Sequence, residues 1–147
     1  MKKYSISELN KQFSKLAPEQ IISEIFSIFS NNVSFASSLG AEDQVLTDMI
    51  LKSEQNASIF VLDTGRLPKE TYQLIDDTMA QYAFKYQVYF PDTQAVEDMV
   101  SEKGVNLFYH SVENRLECCN VRKVQPLKRA LHTYDAWITG LRRGQSI

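Results

Sequence analysis

This 147-residue chain has two cysteines only, and they are neighbours, Cys118 and Cys119. That count and spacing exclude a disulfide framework. Adjacent cysteines seldom bridge to each other, because the bridge would close a strained eight-membered ring. The thiols therefore suit a reducing compartment, and a cytoplasmic location is expected. Long apolar runs are missing: nothing approaches the roughly 18 residues that a membrane span needs. "MKKYSISELNKQF" opens with two lysines but no apolar core follows, so it does not read as a signal peptide. Charge of one sign is missing too. Sixteen Lys and Arg stand against 18 Asp and Glu, for a net charge of -2. A general nucleic-acid binder is excluded on that balance, whereas a small anion held by a few local charges is not. There is no internal repeat and no low-complexity segment.

What is there is ordinary globular material, 44% hydrophobic and 23% charged, enough for one domain with a real core. Helical and strand patterns alternate. "APEQIISEIFSIFS" puts Ile21, Ile22, Ile25, Phe26 and Phe29 on one helical stripe. "NVSFASS" is a short β-rich run, and "GAEDQVLTDMILKSE" returns to helical spacing through Val45, Leu46, Met49 and Ile50. "ASIFVLDTG" is a strand-length apolar run, and "PKETYQLIDDTMAQYA" a helix with Pro68 in its first turn. "KYQVYFPD" is a third strand, and "TQAVEDMVSEKG" a helix ended by Gly104. After a loop, "NVRKVQPLKRALHTY" reads as helix despite Pro126, and "DAWITG" is the last strand. Phe26, Phe60 and Trp137 fall on apolar faces and are expected in the core.

Such alternation predicts an α/β fold: an open doubly wound parallel sheet of about four strands with helices on both faces. The chain is expected to be a single domain over 1–147, with a helical segment over about 1–31 and an α/β core over about 32–147. Ligands of such sheets sit beyond the carboxyl ends of the strands. Three strand ends here carry polar residues and glycine: "SSLGAED", "LDTGR" and "TGLRRGQS".

Each of these has a functional and a plain reading. In "SFASSLGAED", Gly40 admits close backbone approach, Ser37 and Ser38 offer hydroxyls, and the helix start favours an anion. The same residues make an ordinary capped turn, and the Gly-Lys-Ser/Thr ending of a Walker loop is absent. Asp63 to Gly65 could line a nucleoside pocket or simply form a turn with Gly65 at positive φ. Arg142 and Arg143 could hold phosphate or sulfate through forked hydrogen bonds, or be solvated surface. Cys118 and Cys119 are candidate thiolate ligands of an iron–sulfur cluster or zinc, or two small core residues. Lys123, about a turn away, could offset thiolate charge. His110 and His132 stand alone and do not complete a metal set.

Taken together, "SSLGAEDQVLTDMI", "VLDTGRLPKETY", "ECCNVRKVQPLKRAL" and "WITGLRRGQS" resemble, in order, the assimilatory adenylyl-sulfate reductases and the related phosphoadenylyl-sulfate reductases. The resemblance runs from about Asn32 to Ser146. It implies an adenine-nucleotide α-hydrolase-like fold. Ser37, Ser38, Gly40, Glu42 and Asp43 would belong to the anion loop, and Leu62, Asp63, Thr64, Gly65 and Arg66 to the nucleoside side. Gly140, Arg142 and Arg143 would belong to the phosphosulfate end of the substrate site. Cys118 and Cys119 would be two ligands of a [4Fe–4S] cluster, with Lys123 between cluster and substrate. The implied reaction is reduction of adenylyl sulfate, or its 3′-phosphorylated form, to sulfite in sulfate assimilation. A cysteine thiolate attacks sulfur, AMP leaves, and a thioredoxin-like dithiol frees sulfite from the thiosulfonate.

Departures from the family pattern matter. The family draws two more cluster ligands from a downstream Cys-x-x-Cys and its nucleophile from a C-terminal Glu-Cys-Gly-Leu-His. This chain reaches Ile147 before either and has no third cysteine. Pro68-Lys69 stands where His-Pro is usual, and Gly144 where an acidic residue is usual. The expectation is thus the front part of a reductase, catalytically incomplete by itself, from a shortened gene product or the first part of a split one. Two copies pooling four cysteines would form a homo-oligomer. A non-catalytic adenine-nucleotide-binding remnant is the alternative. An ATP-splitting thiolation or amidation enzyme ranks last, since its Ser-Gly-Gly-x-Asp-Ser loop is absent.

Overall fold

The computed structural model describes residues 5–142 and 144. Two helices open the described chain, α1 (Ile6–Phe13) and α2 (Pro18–Phe29). Pro18 starts α2, where a missing N–H costs nothing, and Gln20 reaches back to accept from Ala17 N at 2.9 Å. Then follow β1 (Val33–Ala36), α3 (Ala41–Ser53), β2 (Ser58–Leu62), α4 (Lys69–Tyr82) and β3 (Gln87–Tyr89). The second half holds α5 (Thr93–Lys103), α6 (Val112–Cys119), α7 (Gln125–Leu131) and β4 (Ala136–Ile138). Among the described residues no helix is long and apolar enough to cross a membrane.

The four strands are parallel in the order β3-β2-β1-β4. The chain steps outward from β1 to β2 and β3, then returns to place β4 on the other side of β1. Right-handed crossovers in opposite directions put the intervening helices on opposite faces, which is the doubly wound arrangement expected. One face is packed by α2, α3 and α4. Its core joins Ile22, Phe35, Ile50, Leu51, Ile59, Val61, Ile75 and Tyr86. Full burial of one such aliphatic or aromatic side chain stabilises by about 1.5–3 kcal/mol, so this face anchors the sheet. On the other face α7 packs against β2 and β3, and Met99, Leu107 and Cys118 tie α5 to α6.

Two expectations need correction. The cysteine pair lies on helix, not in a loop: α6 begins at Val112, where Ser111 caps it by accepting from Asn114 N at 3.1 Å. Helix does continue past Pro126, as expected, through a π-helical stretch, Asn120–Val124, and stops at Leu131. The wider turn relieves the loss of the proline N–H, so the helix passes through without breaking. Trp137, expected in the core, is 49% exposed. Its register partner on β1 is the small Ser34, and α7 covers β2 and β3 rather than β4. Val45 is likewise exposed, on the outer side of α3.

Candidate functional site

The reversal of strand order lies between the carboxyl ends of β1 and β4. In open α/β sheets that is where a crevice opens. Two adjoining hollows occupy this end of the sheet, with Ser38 on the wall of both.

The first hollow, about 300 Å³, runs over the ends of β1, β2 and β4. Its floor alternates with the buried core: Ala36, Phe60, Leu62 and Trp137 share the face opposite Phe35 and Val61. Leu67 and Leu127 add apolar wall. Ser37, Ser38, Thr64 and Thr71 supply polar groups, and Lys123 of the π-helical stretch supplies the cation. A flat apolar floor with polar groups at its rim and one ammonium suits a nucleoside carrying an anionic tail.

Serine/glycine loop residues Ser37–Gly40 are held mostly by their own side chains. Asp43, 5% exposed, accepts from Ser38 N at 2.5 Å and from Ser38 Oγ at 2.6 Å. Ser37 Oγ accepts from Leu39 N at 3.1 Å. The positive φ in this loop belongs to Leu39 (64°), while Gly40 caps α3 at an ordinary φ of -69°. The glycine that the packing demands is Gly140: a Cβ there would overlap Oδ1 of Asp43. The second hollow, about 350 Å³, is lined by Ser38, Glu42, Asp43, Gly140 and Leu141. Two carboxylates make it the acidic side of the site. Arg142 crosses to it, pairing with Glu42 at 2.8 Å. Arg143 lies outside the described residues.

The turn after β2 is fixed from below. Asp63 is buried and accepts from Gly65 N at 2.7 Å and from the Tyr72 hydroxyl at 3.0 Å. Burial first, and then the Asp63 carboxylate, hold the Tyr72 hydroxyl above the usual tyrosine range. Gly65 takes the expected positive φ of 71°. Arg122, buried in the π-helical stretch, donates from Nη1 to Thr64 O at 2.7 Å and leaves Nε without a partner. Arg66 turns away from the hollow. It donates to Val105 O and Asn106 Oδ1, both at 3.0 Å, and lies over the Phe108 ring.

Of the candidates named from sequence, Ser37, Ser38, Leu62, Thr64 and Lys123 thus meet in the first hollow. Ser38, Glu42, Asp43 and Gly140 meet in the second, with Arg142 beside it. Asp63 and Gly65 shape the turn, and Arg66 sits apart. Sequence reasoning missed Trp137, Thr71, Leu127 and Arg122. The alternation of "DAWITG" against a strand of small Ser34 and Ala36 was the available signal for Trp137.

The cysteines diverge. Cys118 is buried against Met99 and Leu107, and Cys119 is exposed, as adjacent helix positions some 100° apart require. Among the described residues no group of three or more His, Cys, Asp or Glu side chains is placed to hold a metal ion. A four-thiolate cluster therefore does not fit the residues of this chain alone.

The phosphoadenosine phosphosulfate reductase domain matches residues 32–147. This chain belongs to that family. It is 49% identical over 117 residues to an adenosine 5′-phosphosulfate reductase of Allochromatium vinosum, covering 80% of this chain and 46% of the relative. To the enzyme of that name from Pseudomonas aeruginosa it is 40% identical over 143 residues, covering 97% and 52%. The chain thus spans about half the length of these curated relatives. A crystal structure of phosphoadenylyl-sulfate reductase from Candida auris, in a phosphate complex, superposes with a TM-score of 0.80 at 24% identity. It covers 99% of this chain and 72% of the other, and supports the fold.

Proposed function

We propose that this chain is the nucleotide-binding part of an assimilatory reductase that converts adenylyl sulfate to sulfite and AMP. The observation that carries this is the first hollow: apolar floor, polar rim and Lys123 at the carboxyl ends of three strands. Adenosine lies over Phe60, Leu62 and Trp137, and the phosphosulfate lies toward Ser38 and Lys123. Arg142 engages the anion by exchanging its Glu42 partner for it. The neighbouring acidic hollow repels the anion and so directs it to the Lys123 side.

Cys118 and Cys119 are half of a cluster ligand set. A bound cluster would supply iron–sulfur chemistry beside Lys123, but its other two ligands must come from another polypeptide segment or a second copy. The nucleophilic thiol and the dithiol of a thioredoxin-like reductant are likewise needed from outside this chain. Isothermal titration with adenylyl sulfate, its 3′-phosphorylated form and AMP, run with a sulfite assay under thioredoxin, tests the proposal. Saturable binding without sulfite release is expected. Absence of binding by all three would overturn the nucleotide assignment, and catalytic turnover would overturn the claim of incompleteness.

A further inference from the structure

Beneath the loop that follows β1, behind the first hollow, lies a buried polar pocket that shares Ser37 with it. Tyr86, just before β3, is 6% exposed. Its ring packs edge-on against Phe84, with centroids 4.7 Å apart. Its hydroxyl is enclosed by Thr47, Thr78, Ser37 and Gln44, and burial raises its pKa. That hydroxyl and the Gln44 Nε2 group are both buried without a hydrogen-bond partner. Both threonine protons are already committed, Thr47 to Asp43 O at 2.8 Å and Thr78 to Leu74 O at 2.6 Å. The threonine oxygens can therefore only accept. Ser37 Oγ accepts from Leu39 N, so its own proton remains to be donated. Buried donors of this kind are almost always satisfied, directly or through one enclosed water. The set closes when Ser37 and Gln44 donate toward the Tyr86 oxygen and Tyr86 donates to a threonine oxygen.

We infer that Tyr86 is a positioning residue for the loop Ser37–Gly40. By accepting the Ser37 proton it fixes the Ser37 hydroxyl in the orientation that receives the Leu39 amide. That hydrogen bond in turn holds Leu39 at its φ of 64°, a left-handed conformation that leucine keeps only under constraint. Leu39 and Ser38 both face the first hollow, so the chain of contacts runs from β3, under the sheet, to the anion side of the site. The inference rests on the nucleotide reading for its functional consequence but not for its structural one.

The test uses the whole chain and two readouts, hydrogen exchange at the Leu39 and Gly40 amides and the Kd for AMP. Tyr86→Phe keeps the ring and removes the oxygen. Exchange at Leu39 should accelerate about tenfold and AMP should bind about three- to tenfold more weakly, the range of one net hydrogen bond. Ser37→Ala alone should accelerate Leu39 exchange to the same extent. Tyr86→Phe added to Ser37→Ala should then change it less than about twofold, because both act through one contact. Tyr82→Phe is the control: its hydroxyl donates to Asp48 at 2.8 Å, and Leu39 exchange should not respond. Unchanged Leu39 exchange in either Tyr86→Phe or Ser37→Ala, or effects that multiply in the double variant, would overturn the inference. If the unaltered chain does not bind AMP, the nucleotide reading fails and the exchange readout still decides the role of Tyr86.

Discussion

Replacing Gly140 by alanine puts a methyl group where Oδ1 of Asp43 already lies. A long surface side chain would swing aside, but Asp43 is short and buried, and its other oxygen binds Ser38 N and Ser38 Oγ. Relief therefore costs either those hydrogen bonds or a shift of the end of β4. Hydrogen bonds to a charged group contribute about 1.5–3 kcal/mol, and overpacking in a closed site costs about 1–3 kcal/mol. A loss near 3 kcal/mol is the working value, which for a domain of this size lowers Tm by roughly 6–12 °C. Gly40→Ala makes the comparison. Its φ is ordinary and the nearest atom to a new Cβ is Ser38 Oγ at 3.4 Å. As an unfavourable N-cap it should cost under about 1 kcal/mol. Thermal melts of both variants and of Asp43→Ala, alone and combined with Gly140→Ala, are the assay. Gly140→Ala should cost much less once Asp43 is gone. A Gly140→Ala melt within about 2 °C of the unaltered chain, or strictly additive costs, would refute the close approach of Asp43 to Gly140.

The cysteines should differ in the folded chain. Iodoacetamide followed by mass spectrometry is expected to label Cys119 quickly and Cys118 only on unfolding, since Cys118 is packed against Met99 and Leu107; equal labelling rates would contradict that packing. Stability should also fall in alkali. Tyr72, Tyr82 and Tyr86 are each held above the ordinary tyrosine value, Tyr72 and Tyr86 chiefly by burial and Tyr82 chiefly by its hydrogen bond to Asp48. The folded chain keeps these protons more tightly than the unfolded one. Their contribution is therefore complete below about pH 10 and is lost as pH rises from there through the folded values. Urea midpoints should decline between about pH 10 and 11, less steeply in Tyr86→Phe, and a flat or rising series would count against it.

Strand positions were legible because buried parallel strands are short apolar runs such as "ASIFVL", closed by turn residues. The order of polar strand ends was legible for the same reason. Local pattern could not show which side of a strand finds a helix to cover it, so Trp137 read as core although α7 lies over β2 and β3. Helix α6 was hidden because Val112 and Leu116 face outward and give no inward stripe. The helix through Pro126 was legible, but its π-helical widening was hidden because a single wider turn leaves the apolar pattern almost unchanged. Gly40 drew notice as a loop glycine, yet Gly140 is the sterically required one. That requirement comes from Asp43, about a hundred positions away in the chain, and leaves no trace in local sequence. Arg66 read as a site residue from its motif, but the carbonyl of Val105 and the ring of Phe108 hold it elsewhere.

The claim that matters most is that the hollow over the strand ends holds an adenine nucleotide, and the chain carries its own reporter for it. Its single tryptophan, Trp137, is half exposed on the wall of that hollow. Titrating AMP while following Trp137 emission should give a saturable change, weakened at least about tenfold by Lys123→Ala as expected for a charge-assisted contact to phosphate. Emission that does not respond to AMP or adenylyl sulfate, or a response indifferent to Lys123, would contradict the account.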